Sequence, residues 1–67
     1  MTDEHPYEGH TVEVYRDQSG EFRWHRKAAN GRIVSDSGEG YINKAHTLAA
    51  ASEYNPGIEV VDLTIQE

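Results

Sequence analysis

The chain has 67 residues, 36% of them apolar, a mean hydropathy of −0.80 and a net charge of −6. A single domain of this size buries only about 60% of its unfolded surface, so oligomerisation is the expected source of extra buried area. The lack of cysteine excludes disulfides and thiolate metal sites, no apolar run reaches a membrane span, and the acidity opposes nonspecific binding to nucleic acid or anionic membrane.

Residues 1–10 are acidic, with Pro6 and Gly9 but no periodicity, and read as a flexible tail before a single domain over 11–67. Thr11 to Arg16 alternates, with Val12 and Val14 on one side and Glu13 and Tyr15 on the other, which predicts a strand. Parity sizes the loop that follows. A three-residue loop Gln18-Ser19-Gly20, closed by Asp17 and Glu21, pairs Val14 with Trp24 and Val12 with Arg26. The valines then stay on the aromatic face, and Gly20 takes the left-handed position.

Glu21 to Tyr41 holds the only Trp, the only Phe and four of the six basic residues. Asn30-Gly31 predicts a two-residue type I′ turn, since Asn tolerates positive φ and Gly adopts it freely. Such a turn pairs Ala29 with Arg32, Ala28 with Ile33, Lys27 with Val34 and Arg26 with Ser35. Phe22, Trp24, Arg26, Ala28, Ile33 and Ser35 then share an inner face. Arg23, His25, Lys27, Arg32 and Asp36 surround Val34 on the outer one.

After a loop with two glycines, Asn43 is a good N-cap, and Lys44 to Tyr54 contains no Gly or Pro. This predicts a helix with Thr47, Leu48, Ala51 and Tyr54 on its inner side. Asn55-Pro56-Gly57 ends it, because a residue before proline avoids the helical region. Ile58 to Ile65 reads as a fourth strand, with Val61, Leu63 and Ile65 facing one way and Ile58 and Val60 the other. Apolar residues on both faces predict that part of this strand is covered on both sides.

The motifs G-E-F-R-W at 20–24, K-A-A-N-G at 27–31, E-G-Y at 39–41 and Lys44 resemble the YegP-like (DUF1508) family of small prokaryotic proteins. The resemblance implies a three-stranded antiparallel meander followed by a helix, either as tandem repeats or as a dimer of single repeats. It implies no activity. This chain has no internal repeat and reads as one unit. Arg26 stands where the family usually has an apolar residue, and Ala51 where it usually has Ile.

Candidate chemistry is sparse. His5, His10, His25 and His46 show none of the HxH, HxxxH or HExxH spacings and read as surface histidines. No serine sits in G-x-S-x-G, so no catalytic residue is assigned, and Ser35, Asp36 and Ser37 read as the end of a strand. Gly38, Gly40 and Lys44 could cradle an anion, but Glu39 would repel phosphate, and a structural turn is the better reading. Arg23, His25, Lys27, Arg32 and Tyr15 form a candidate interaction face, since a sheet surface can hold single-stranded nucleic acid. Against that, Phe22 and Trp24 point inward, and His25 is expected to pair with Asp36 and Glu13.

The sequence therefore predicts an α+β domain: an antiparallel β-meander, one helix packed on it, and a C-terminal strand. The expected function is that of a non-enzymatic, cytoplasmic protein-interaction or accessory module, a homodimer with no cofactor, no metal and no membrane contact. A nucleic-acid-binding module using the outer sheet face is the alternative. Arg26, Val61, Leu63 and Ile65 are the candidate dimer contacts. A buried guanidinium needs an acid, from the tail or from a partner chain at Glu59 or Asp62, and paired sheet edges or exchanged C-terminal strands would offer one.

Overall fold

A computed structural model describes residues 8–65. They form β1 (Thr11–Arg16), β2 (Phe22–Lys27), β3 (Ile33–Asp36), α1 (Lys44–Tyr54) and β4 (Glu59–Asp62), an α+β architecture. All four strands lie in one sheet in the order β3-β2-β1-β4.

The first hairpin has the register that parity requires, with Val14 opposite Trp24 and Val12 opposite Arg26. The Gly20 N–H donates to the Asp17 carbonyl at 3.0 Å, the Asp17 N–H donates to the Glu21 carbonyl at 2.8 Å, and Gly20 has φ 89°. Only glycine takes that conformation without strain.

The second hairpin departs from the type I′ expectation. No non-glycine residue among those described has positive φ, so Asn30 does not occupy a type I′ position. Instead the Asn30 carboxamide oxygen accepts the Arg32 N–H at 3.0 Å, which holds Asn30 in an ordinary conformation. Gly31, at φ 89°, is the third residue of a loop closed by Ala28 and Arg32, a copy of the first loop. The longer loop moves the register by one residue, so Ile33 lies opposite Lys27 rather than Ala28. A bulge then inserts Val34 between the paired positions and restores Arg26 opposite Ser35 and His25 opposite Asp36. Ile33 is consequently aligned with the outer-facing Lys27, and both Ile33 and Val34 are exposed.

Past β3 the chain folds back onto β2, where Phe22 and Tyr41 exchange two backbone hydrogen bonds of 2.8 Å. Gly40 permits this approach. A Cβ there would lie 2.8 Å from Glu21 Cβ and collide with its carboxylate. The glycine of E-G-Y is thus required by close packing of backbone on side chain.

The helix has the bounds expected from the sequence. The Asn43 side chain accepts the His46 N–H at 3.1 Å, and the buried Thr47 hydroxyl donates to the Asn43 carbonyl at 2.9 Å. Thr47 and Ala51 are fully buried and Leu48 half-buried. Tyr54, expected on the inner side, is 69% exposed, although its ring stacks on Trp24 with centroids 6.2 Å apart. The helix packs on β1, β2 and β4 but not on β3. Because β1 and β3 run the same way, α1 returns the chain to the starting end, and β4 pairs parallel to β1.

The fourth strand is shorter than the predicted Ile58–Ile65. Asp62 stops it: its Oδ1 accepts the Thr64 N–H at 2.8 Å and the Thr64 hydroxyl, turning the chain. Ile58 and Val60 pack against the core, whereas Leu63 and Ile65 are exposed, so the expected two-sided cover does not extend to the end of the segment. The core proper is small: Val12, Val14, Trp24 and Ala51.

Candidate interaction surface

Strand alternation puts Glu13, Tyr15, Arg23, His25 and Lys27 together on the outer face of β1 and β2. Their charges are met locally. Arg23 Nε donates to Asp17 Oδ2 at 2.7 Å, His25 Nε2 bonds Glu13 Oε1 at 2.7 Å, and Lys27 Nζ lies 3.2 Å from Glu13 Oε2. The Tyr15 ring lies against the His25 ring, 4.8 Å between centroids. His25 was expected to pair with both Asp36 and Glu13; only Glu13 binds it, although Asp36 is its cross-strand neighbour.

Two carboxylates hold this face, and both titrate low. Hydrogen bonding from His25 lowers Glu13 below its ordinary value; burial opposes this, and Lys27 adds to the lowering. The Arg23 guanidinium, helped by Ser19, holds Asp17 well below the usual carboxylate range, and Asp17 raises Arg23 in return. Asp17 also accepts the Ser19 N–H at 2.9 Å and the Glu21 N–H at 3.0 Å, so one side chain both shapes the hairpin loop and pins a strand cation. From the sequence alone Asp17 reads only as a loop closer. The D-x-S-G spacing, which favours a side-chain-closed turn, is the signal that marks it. Arg32, expected on this face opposite Ala29, is not placed there: its carbonyl accepts the Ala28 N–H at 2.8 Å, so the shifted register aligns it with inner-facing Ala28, and it makes no ion pair among the described residues.

The candidate dimer residues are scattered. Arg26 is half-buried on the inner face, and its partners come from its own chain: Nε donates to His10 Nδ1 at 3.1 Å and Nη1 to Asn55 Oδ1 at 3.4 Å. Asn55 is 3% exposed, and its amide also donates to the Ala51 carbonyl at 2.7 Å, tying the helix end to β2. Asp62, expected as an acid for Arg26, is engaged by Lys44 Nζ at 3.0 Å and by Thr64. Thr64 first and Lys44 second keep its carboxyl low. Lys44 thus fastens the helix start to the end of β4, which occupies the amine considered for an anion cradle. Val61 is half-buried, and Leu63 and Ile65 are exposed beyond β4.

Of the four histidines, His5 lies outside the described residues, as does the tail up to residue 7. Among the described residues no three His, Asp or Glu side chains gather as a metal site, and no helix is long and apolar enough to cross a membrane.

Comparison with known proteins agrees with the motif reading. The family model described as "Domain of unknown function (DUF1508)" matches residues 17–53, from the first hairpin loop to the last turn of α1. A UPF0339 protein of Agrobacterium fabrum is 46% identical over 55 residues, covering 78% of this chain and 87% of its own length. A second UPF0339 protein of the same organism is 40% identical over an equal span. One from Neisseria meningitidis serogroup B is 53% identical over 32 residues, covering 48% of this chain and 55% of its own. No solved structure matches the chain. Both hairpin loops, the E-G-Y return and the helix up to Glu53 fall within the matched segment, and the chain belongs to the DUF1508 (UPF0339) family of proteins of unknown function.

Proposed function

We propose that this domain is a non-enzymatic interaction module that works as a homodimer. One observation carries the reading. Ile33, Val34, Ile42, Leu63 and Ile65 are each at least half exposed, whereas the buried apolar core has only four members among the described residues. Large apolar side chains left outside a small core are what a subunit interface buries. Two of them lie on β3, an edge strand with no sheet neighbour on its outer side among the described residues, and two follow β4 at the opposite edge. Either edge offers the backbone pairing by which sheets extend across subunits. The resemblance to a family of paired or tandem units supports the same reading. Nucleic-acid binding by the outer face has less support, because Arg23, His25 and Lys27 are each met by a carboxylate.

The test is the oligomeric state. Sedimentation equilibrium at micromolar concentration is expected to give twice the chain mass, with a melting temperature that rises with protein concentration. Val34→Lys and Leu63→Lys, made separately, identify the edge: the one that meets the partner shifts the equilibrium to monomer. A stable folded monomer in the unsubstituted chain would refute the proposal.

A further inference from the structure

An open cleft of about 230 Å³ lies beside Trp24, lined also by Asp36, Ser37, Glu39, Tyr41 and Tyr54. It forms because α1 does not reach β3, leaving a gap between the last helical residue and the segment after β3. That segment is held in place. The Ser37 N–H donates to the Trp24 carbonyl at 2.9 Å, Ser37 Oγ donates to the Glu39 carbonyl at 2.9 Å, and Tyr41 is bonded to Phe22. The wall therefore exists before any ligand arrives.

Two features of the lining point to one ligand chemistry. Trp24, Tyr41 and Tyr54 bring three aromatic rings to a small space, and Tyr54 is largely exposed although it stacks on Trp24. Asp36 and Glu39 add two carboxylates that have no ion pair among the described residues, whereas Glu13, Asp17 and Asp62 are all paired. Ring faces and carboxylates attract a cation.

We propose that this cleft binds an ammonium or guanidinium group, as on a lysine or arginine side chain of a partner. The cleft suits one side chain and falls below the volume usual for a nucleotide-sized ligand. A net charge of −6 favours the approach of a basic partner. This binding goes beyond the homodimer reading and holds for either oligomeric state.

The chain has one tryptophan, so a single indole N–H signal reports on the site in two-dimensional NMR of the ¹⁵N-labelled full chain. The probes are the blocked single residues N-acetyl-lysine methylamide and N-acetyl-arginine methylamide, with N-acetyl-norleucine methylamide as neutral control and tetramethylammonium as bare cation. Expected is a saturable shift of the Trp24 indole signal with the two basic amides, in the millimolar range suited to so small a ligand, weakening as salt rises. The paired substitution Asp36→Asn with Glu39→Gln should weaken binding at least several-fold, and Tyr54→Leu should do so independently; melting curves verify that each variant is folded. A response to norleucine equal to that of lysine, no saturation, or binding unchanged in the acid variant would overturn the proposal. Tetramethylammonium should shift the same signal, and its failure to do so would overturn the cation site. Because the readout is the site itself, a monomeric result by sedimentation leaves this test intact.

Discussion

Replacing Trp24 separates what its bulk contributes from what its indole N–H costs. Trp24 is the one large residue in a core otherwise made of two valines and an alanine. Truncation to alanine removes an aromatic side chain from a buried site, typically ~3–5 kcal/mol, and also forfeits the Tyr54 stacking. At ~0.05–0.15 kcal/mol per residue, a domain of this size has a total stability of roughly 3–10 kcal/mol. Trp24→Ala is therefore expected to be unfolded or molten. Phenylalanine behaves otherwise. It keeps a ring for Tyr54 and gives up the equivalent of about two methylene groups, roughly 1–2 kcal/mol. It also removes a buried donor that has no acceptor, whose cost is ~1–3 kcal/mol. The two changes nearly cancel, and Trp24→Phe is expected to lie within about 1 kcal/mol of the parent. Urea titrations followed by far-UV circular dichroism, at one protein concentration, measure both. A phenylalanine variant as damaged as the alanine variant would mean that the indole N–H is satisfied. A folded alanine variant with parental melting would refute the assignment of Trp24 to the core.

Gly40→Ala should cost ~1–3 kcal/mol by forcing a Cβ onto Glu21, and the cost should shrink in a Glu21→Gly background in a double-mutant cycle. Gly31→Val should destabilise by ~1–2 kcal/mol in denaturant titration, because Gly31 has φ 89°. Asn30→Asp should change little, since its Oδ1 can still accept the Arg32 N–H; equal effects at the two positions would refute the loop geometry. Asp17 titrates below its unfolded value, so its stabilising contribution is fully present above about pH 4–5 and is lost as pH falls through the lower folded value. The melting-temperature gap between the parent and Asp17→Asn should accordingly be constant near neutrality and close in acid; a gap that persists undiminished at the lowest pH would exclude the Arg23 pairing as its cause.

Local chemistry was enough to read much of this fold. Asn43 and the Asn-Pro pair bound the helix, and the alternation around Val12, Val14 and Trp24 sets the first register, because a one-residue slip would turn the valines to water. Other features depend on contacts that sequence spacing does not encode. A two-residue turn and a three-residue loop followed by a bulge leave Arg26 opposite Ser35 alike, so parity could not choose between them. The hydrogen bond from Arg32 to Asn30 decided it. Alternation says which face a strand residue takes but not which neighbour the strand joins, and β4 found its place beside β1 only once α1 had returned the chain. Arg26 was legible as an inner-face residue, yet its partners His10 and Asn55 stand 16 and 29 residues away. The cleft beside Trp24 joins Glu39 to Tyr54 in the same way: no motif spans the two, and they share a site because the helix stops short of the third strand. A long-range polar contact exists only in the assembled fold, whereas caps, turns and periodicity are local and act on the chain wherever it stands.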